Sequence, residues 1–125
     1  MTKLLSLIAI ASFLTIVTPA NAYKVEVLYK LCKPYTDSGF VLERIGDGAC
    51  YGYIRGVVDY SVQACINLKN RDKLAATLLG SAAGPDNIDA IAQMFVNEAK
   101  GKPEEWEYNA TAMVTNAAKT IAPCK

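Results

Sequence analysis

The side chains in this sequence that are best suited to chemistry are four cysteines, Cys32, Cys50, Cys65 and Cys124. Thiols can bind a metal, carry out redox chemistry or form disulfides. There is no Cys-x-x-Cys pair, which argues against a redox motif, and no histidine, which argues against a zinc site. We therefore predict two disulfides, no metal site and no cofactor.

The lack of histidine also removes the Ser-His-Asp and Cys-His arrangements of nucleophilic catalysis. Two carboxylate pairs remain at helical spacing, Asp86 with Asp89 and Glu104 with Glu107. Both pairs lie in predicted first helical turns, where acidic residues complement the helix dipole. Their positions have a structural explanation, so we expect no catalytic residues and no enzymatic activity.

The first 22 residues have the organisation of an export signal. Lys3 supplies the positive start, the run from Leu4 to Val17 is apolar, and Ala20-Asn21-Ala22 offers small residues to a signal peptidase. We predict cleavage after Ala22, which leaves residues 23–125 as one domain in the bacterial periplasm. A retained anchor helix is the alternative.

Charge gives no support for binding nucleic acid or a membrane. The chain has 13 basic and 12 acidic residues, and Lys3 is the one charged residue of the predicted signal. The mature domain is therefore neutral and has no electrostatic attraction for phosphates or anionic lipids. We expect neither partner.

Apolar residues recur at helical spacing through the mature domain, which predicts an all-α fold of about five helices. The first helix should end at Lys33-Pro34, because proline interrupts helices. Residues 33–47 then form a connection, and Asp47 caps a second helix that continues to about Lys69. Asn70 is the predicted cap of a third helix.

The third helix carries three leucines, Leu74, Leu78 and Leu79, and Gly80 suits its end. A fourth helix begins at Asp86 or Asn87, and a fifth begins at Pro103 and ends before Pro123. The side chains that these two helices should bury are Ile88, Ile91, Ala92, Phe95, Trp106, Ala110, Met113, Val114, Ala117 and Ile121.

The predicted helices restrict how the cysteines pair. Cys50 and Cys65 lie 15 positions apart on the second helix, or about 22 Å at the usual rise, whereas a disulfide needs Cα atoms within about 7 Å. That excludes one of the three pairings. Of the others we favour Cys32–Cys50 with Cys65–Cys124, because antiparallel packing of the first two helices brings Cys32 and Cys50 to the same end.

The second helix contains Gly52 and Gly56 in its interior, where each glycine costs about 1 kcal/mol relative to alanine. Tyr51 and Tyr53 flank Gly52, and Asp59 completes this group of predicted contact residues. We interpret the glycines as sites of close packing within the domain. The alternative is a subunit contact in a homodimer, with one tyrosine as an exposed aromatic anchor.

The string from Cys50 to Asp59, CYGYIRGVVD, resembles the core motif of the Tai-type immunity proteins of type VI secretion amidases. In that family a signal peptide and a first-helix cysteine precede a Cys-x-x-Tyr-Ile-x-Gly-x-x-Asp helix. A further cysteine and a closing Pro-Cys follow. These elements match Cys32, the string itself, Cys65 and Pro123-Cys124, so the resemblance covers essentially the whole mature chain.

The resemblance implies a periplasmic inhibitor that binds a peptidoglycan amidase effector and blocks its active-site cleft. Several members of the family form homodimers and insert a loop into that cleft. This sequence departs from the shorter family pattern by an extra helical stretch, Arg71–Leu79, and a small-residue segment follows it. We expect partner binding by that segment, Ser81, Ala82, Ala83, Gly84 and Pro85.

Two alternatives stay open. The segment from residue 81 to 85 has the composition of an ordinary helix connector as well as that of a binding loop. The whole domain, small, helical and held by disulfides, also fits a periplasmic acid-stress chaperone of the HdeA-like kind.

Overall fold

The computed structural model describes residues 23–125, and the predicted signal segment 1–22 lies outside them. The described part consists of five α-helices: α1 (Val25–Ser38), α2 (Ile45–Leu68), α3 (Lys73–Leu79), α4 (Ile88–Gly101) and α5 (Ala110–Ile121). Short 3-10 turns occupy Pro85–Asn87 and Pro103–Glu105. Because these residues form no strand, only two isolated bridges, the all-α prediction is confirmed.

Helices α1, α2, α4 and α5 pack around one hydrophobic core. Its largest fully buried side chains include Leu28 of α1, Ile54 of α2 and Phe95 of α4. Burial of each such side chain stabilises the fold by about 1.5–3 kcal/mol. All four side chains predicted for the inward face of α4 are buried, which confirms the periodicity of that helix. Of those predicted for the fifth helix, Trp106 and Ile121 are only half-buried.

Helix α3 lies at the edge of this core. Ala76 is its one buried residue, and its three leucines, Leu74, Leu78 and Leu79, are exposed. Asp72 caps the helix by accepting a hydrogen bond from the Ala75 N–H at 2.9 Å, so the prediction of Asn70 as the cap is wrong. None of the helices between residues 23 and 125 is both long enough and apolar enough to cross a membrane.

Helix α1 is longer than the sequence predicted, since it continues through Pro34 to Ser38. Pro34 lies on the exposed side of the helix, where water can hydrate the carbonyl that proline leaves without a donor. One residue later, Tyr35 is buried and anchors the last turn. The helix ends at Gly39, whose φ of 76° is the one positive value among the described residues and favours glycine.

The starts of α2 and α5 also differ from prediction. Arg44 is the N-cap residue of α2, and Asp47 lies inside the first turn. Helix α5 begins after Asn109, whose side chain accepts from a backbone N–H of the first turn, whereas Pro103 begins only a 3-10 turn. Trp106 consequently precedes α5, and its indole N–H donates to a carbonyl of α4 at 2.7 Å.

Two disulfides fasten both ends of α2 in the pairing that we favoured. Cys32 and Cys50 join α1 to the start of α2 with their Cα atoms 5.0 Å apart. Cys65 and Cys124 join the end of α2 to the segment after α5 with a Cα separation of 5.6 Å. In the loop-entropy description these bonds stabilise the fold by about 3 and 4 kcal/mol, because they close loops of different length.

The glycines in and beside α2 differ in how much space surrounds them. Gly80, at the end of α3, lies so close that an added Cβ would be 2.6 Å from the Ala76 carbonyl oxygen and 2.9 Å from the Cys65 Cα. By contrast, a Cβ on Gly52 or Gly56 would meet nothing within 4 Å. The close-packing interpretation of those two glycines is therefore wrong, whereas Gly80 is required by the space available to it.

Replacing Gly80 by alanine should destabilise the domain by about 1–3 kcal/mol, because the new methyl group would press on backbone atoms that cannot move aside. The matched variant is Gly48→Ala, which places the same methyl group in open space on α2. That change should stabilise the domain by up to about 1 kcal/mol. Urea denaturation of both variants measures the difference, and effects of the same sign would contradict the prediction.

Candidate functional site

The predicted partner-binding segment lies against the body of the domain rather than projecting from it. Ser81 and Ala83 are buried, and the Ser81 hydroxyl is 2.8 Å from a serine hydroxyl of α2. The Ala82 N–H donates to a carbonyl beyond α5 at 2.8 Å. Gly84 is half-buried, and the side chains of Ala82 and Pro85 are exposed. Partner binding here stays a prediction, for which only the exposed side chains are accessible.

The predicted packing or dimer-contact residues lie on two sides of α2. Gly52, Gly56 and Asp59 are exposed on its outward side. Tyr53 is half-buried, and its hydroxyl is 2.8 Å from a threonine hydroxyl of α5. Tyr51 is also half-buried and faces the connection that follows α1. A homodimer formed through the outward side stays a prediction.

The connection between α1 and α2 contains none of the predicted site residues. We name residues 39–45 the α1–α2 loop; its last residue is the first of α2. Leu42 is 82 % exposed and Ile45 is 91 % exposed, the highest values of any large apolar side chain in residues 23–125. Phe40 is half exposed. This loop therefore presents an apolar tip to solvent.

An ion pair holds the loop in shape. The carboxylate of Asp47 is 1 % exposed, and its Oδ2 accepts from Arg44 Nε at 2.9 Å and from the Val41 N–H at 2.8 Å. The same guanidinium donates to the Ser38 hydroxyl at 2.9 Å and to the Gly39 carbonyl at 2.6 Å. One arginine thus ties the end of α1 to the start of α2. The loop has a defined shape without any partner.

A small cavity of about 250 Å³ lies beside the loop, and we name it the aromatic pocket. It is lined by Tyr35 of α1, Phe40 of the loop, Tyr51 of α2 and Asp89 of α4. The Phe40 ring is 6.2 Å from each tyrosine ring, at 86° to Tyr35 and 63° to Tyr51. The pocket and the apolar tip share Phe40 and form one continuous surface.

The polar groups of the pocket are linked. The Tyr35 hydroxyl donates a hydrogen bond to Asp89 Oδ1. Burial, together with this hydrogen bond, raises the pKa of Tyr35 well above its usual value, so the phenol stays protonated and acts as the donor. Asp89 is also one of the acids predicted to lie at a helix start, where it complements the helix dipole. It does lie in the first turn of α4.

This arrangement is suited to binding. Tyrosine is among the side chains that most often anchor one protein on another, and a loop that is already held in shape loses little entropy on binding. Within residues 23–125 there is no group of three or more His, Cys, Asp or Glu side chains that could hold a metal ion. One feature of the sequence could have indicated this loop. Phe40-Val41-Leu42 is a run of three apolar residues inside a predicted connection, where polar residues are expected.

Removing the cation from the buried pair tests how far it supports the loop. Arg44→Ala should destabilise the domain by about 2 kcal/mol, because Asp47 would keep a buried charge without its counter-ion. The control is Arg55→Ala, which breaks an exposed pair with Asp59 at 3.9 Å and should change stability by less than about 0.5 kcal/mol. Urea denaturation measures both, and hydrogen exchange of the loop amides should accelerate in Arg44→Ala alone.

Comparison with known protein families identifies a match that covers the described domain. The family model of the Rap1a immunity proteins matches residues 24–124, a range that contains all five helices and all four cysteines. No curated protein and no solved structure matches the chain. The match covers far more than half of the sequence, and the chain therefore belongs to the Rap1a immunity proteins, a family of type VI secretion immunity proteins.

Proposed function

We propose that this chain is a periplasmic immunity protein that binds and inhibits a peptidoglycan amidase effector of a type VI secretion system. The observation that carries the proposal is the α1–α2 loop, a rigid loop with an exposed apolar tip in a member of an immunity family. The motif from Cys50 to Asp59 supports an amidase as the target through its resemblance to the Tai-type proteins. The protein itself has no enzymatic activity.

Inhibition is by occupation of the amidase cleft. Because the Arg44–Asp47 pair already holds the loop, binding would order few additional groups, and less of the interaction energy is lost to entropy. Leu42 and Ile45 are the anchors that would leave water on binding. The energetic basis of inhibition is therefore apolar burial on a preorganised loop.

The segment from residue 81 to 85 remains part of the proposed contact. Its exposed end, Pro85, begins the 3-10 turn that leads directly into α4, and the first turn of α4 carries Asp89 of the aromatic pocket. Both proposed contact regions therefore meet at the start of α4. We also propose a homodimer through the outward side of α2, where Gly52 and Gly56 leave space for a second subunit to approach closely.

Export to the periplasm fits the cysteine chemistry. No cysteine among residues 23–125 is free, and disulfides persist in oxidising compartments. We propose that residues 1–22 are the signal that directs this export and that 23–125 form the mature domain. Membership of an immunity family favours effector inhibition over the acid-stress chaperone that also fitted the sequence.

Co-purification with the amidase encoded beside the gene tests the proposed function. The tagged chain should retain the amidase with a dissociation constant of about 10⁻⁸ M or lower, which lies within the range of specific, stable protein complexes. It should also abolish peptidoglycan cleavage by that amidase, and show no cleavage of its own. An unrelated amidase is the control. Absence of binding together with no protection of cells that express the amidase would refute the proposal.

A pair of leucine variants tests the role of the loop. Leu42→Glu should weaken amidase binding by about a hundredfold, because it places a charge at an apolar anchor. Leu74→Glu makes the same change at a leucine of α3 that is 69 % exposed, and should weaken binding by less than about threefold. Both sites are exposed, so both variants should fold. Equal affinities would show that the loop does not contact the amidase.

A further inference from the structure

We propose that the aromatic pocket binds a cationic group, the ammonium of a lysine or the guanidinium of an arginine on the amidase effector. The pocket combines the rings of Tyr35, Phe40 and Tyr51 with the carboxylate of Asp89. The identity of the protein that supplies the cation rests on the proposed function. The preference of the pocket for a cation rests on its own residues.

The rings provide the first argument. A stack of parallel rings would close the space between them, but Phe40 stands at 86° to Tyr35 and at 63° to Tyr51. Rings at such angles form the corner of a cavity. A cation within about 6 Å of an aromatic face is attracted by the negative charge of the π system. Phe40 is half exposed, so a cation placed against its face, beside the two tyrosines that line the same space, would gain this attraction.

The charge of Asp89 provides the second argument. The Tyr35 hydroxyl donates to Oδ1, but a phenol carries no positive charge to balance the carboxylate. Asp89 takes part in none of the salt bridges between the described residues. The nearby buried carboxylate of Asp47, in contrast, is paired with Arg44. Asp89 is itself exposed, so it offers a guest of the mainly apolar pocket a negative charge that has no internal counter-ion.

Size and charge favour a long cationic side chain as the guest. A cavity of about 250 Å³ is smaller than the sites that hold typical small-molecule ligands, and it suits one side chain. A neutral apolar side chain could fill the space between the rings, but it would leave the exposed carboxylate of Asp89 without a counter-ion. An anionic side chain would be repelled. A lysine or arginine satisfies both the aromatic walls and the carboxylate, and the apolar tip of the loop can pack around its base.

The preference for a cation can be tested on the protein alone. Titration with butylammonium, followed by NMR of the Tyr35, Phe40 and Tyr51 rings, should give saturable shifts with a dissociation constant in the millimolar range. Methylguanidinium should behave alike, whereas 1-butanol, which has the same shape and no charge, should bind at least about tenfold more weakly. Equal binding of butylammonium and 1-butanol would overturn the proposal.

Two variants test whether the cation is bound by the carboxylate of Asp89 or simply attracted by the acidic residues near the start of α4. Asp89→Asn keeps an oxygen that can accept from Tyr35 and should weaken butylammonium binding about tenfold. Asp86→Asn removes the same charge from an exposed residue in the turn before α4 that does not line the pocket, and should bind like the wild type. Thermal melting of both variants reports whether the fold is kept. Equal losses in the two variants would contradict the assignment to Asp89.

The same two variants test whether the cation bound by the pocket belongs to the amidase. Asp89→Asn should bind the amidase about tenfold more weakly than Asp86→Asn does, with a smaller dependence on salt. If the wild type does not bind the amidase, the proposed function fails, while the butylammonium titration still decides the preference of the pocket. If the wild type and Asp89→Asn bind the amidase equally, the cation does not come from the effector.

Discussion

The disulfides at the two ends of α2 are the constraint on which the rest of the structure depends. Cys50 fastens the start of this helix to α1, and Cys65 fastens its end to the segment after α5. Helices α1, α4 and α5 all pack on α2, so fixing both of its ends fixes the positions of the others. Gly80 adds a third close contact. At this residue, which ends α3, the chain passes so near the backbone of Cys65 that there is no room for a side chain.

The sequence predicted best those features that depend on residues close together in the chain. The inward face of α4 and the length of α2 followed from periodicity. The reach of a disulfide excluded one pairing of the cysteines, and the expected antiparallel packing of α1 and α2 favoured the pairing that is observed. The predicted end of α1 at Pro34 is wrong because proline disfavours a helix without forbidding it. Pro34 lies on the exposed side of the helix, where water can hydrate the carbonyl that lacks an N–H donor and part of the cost is removed. Whether a helix continues beyond a proline also depends on how well the residues after it are packed. Here the next residue, Tyr35, is buried.

The candidate binding surface could not be predicted for a related reason. Its residues, at positions 35, 40, 51 and 89, come from three helices and one connection, and no spacing along the chain relates them. Asp47 and Asp89 were both assigned to helix starts from residue type. Each lies in a first turn, but Asp47 bonds back to the preceding loop and Asp89 bonds to another helix. Residue type indicates where a carboxylate is favourable and does not identify its partner.

The bonds that shape the α1–α2 loop have a consequence for how the protein can evolve. Arg44 and Asp47 hold the loop through the backbone groups of Gly39 and Val41 and through the Ser38 hydroxyl. They do not use the side chains of Leu42 or Ile45, which are almost fully exposed. The tip residues, which are the proposed anchors on the effector, can therefore be exchanged one at a time while the domain stays folded.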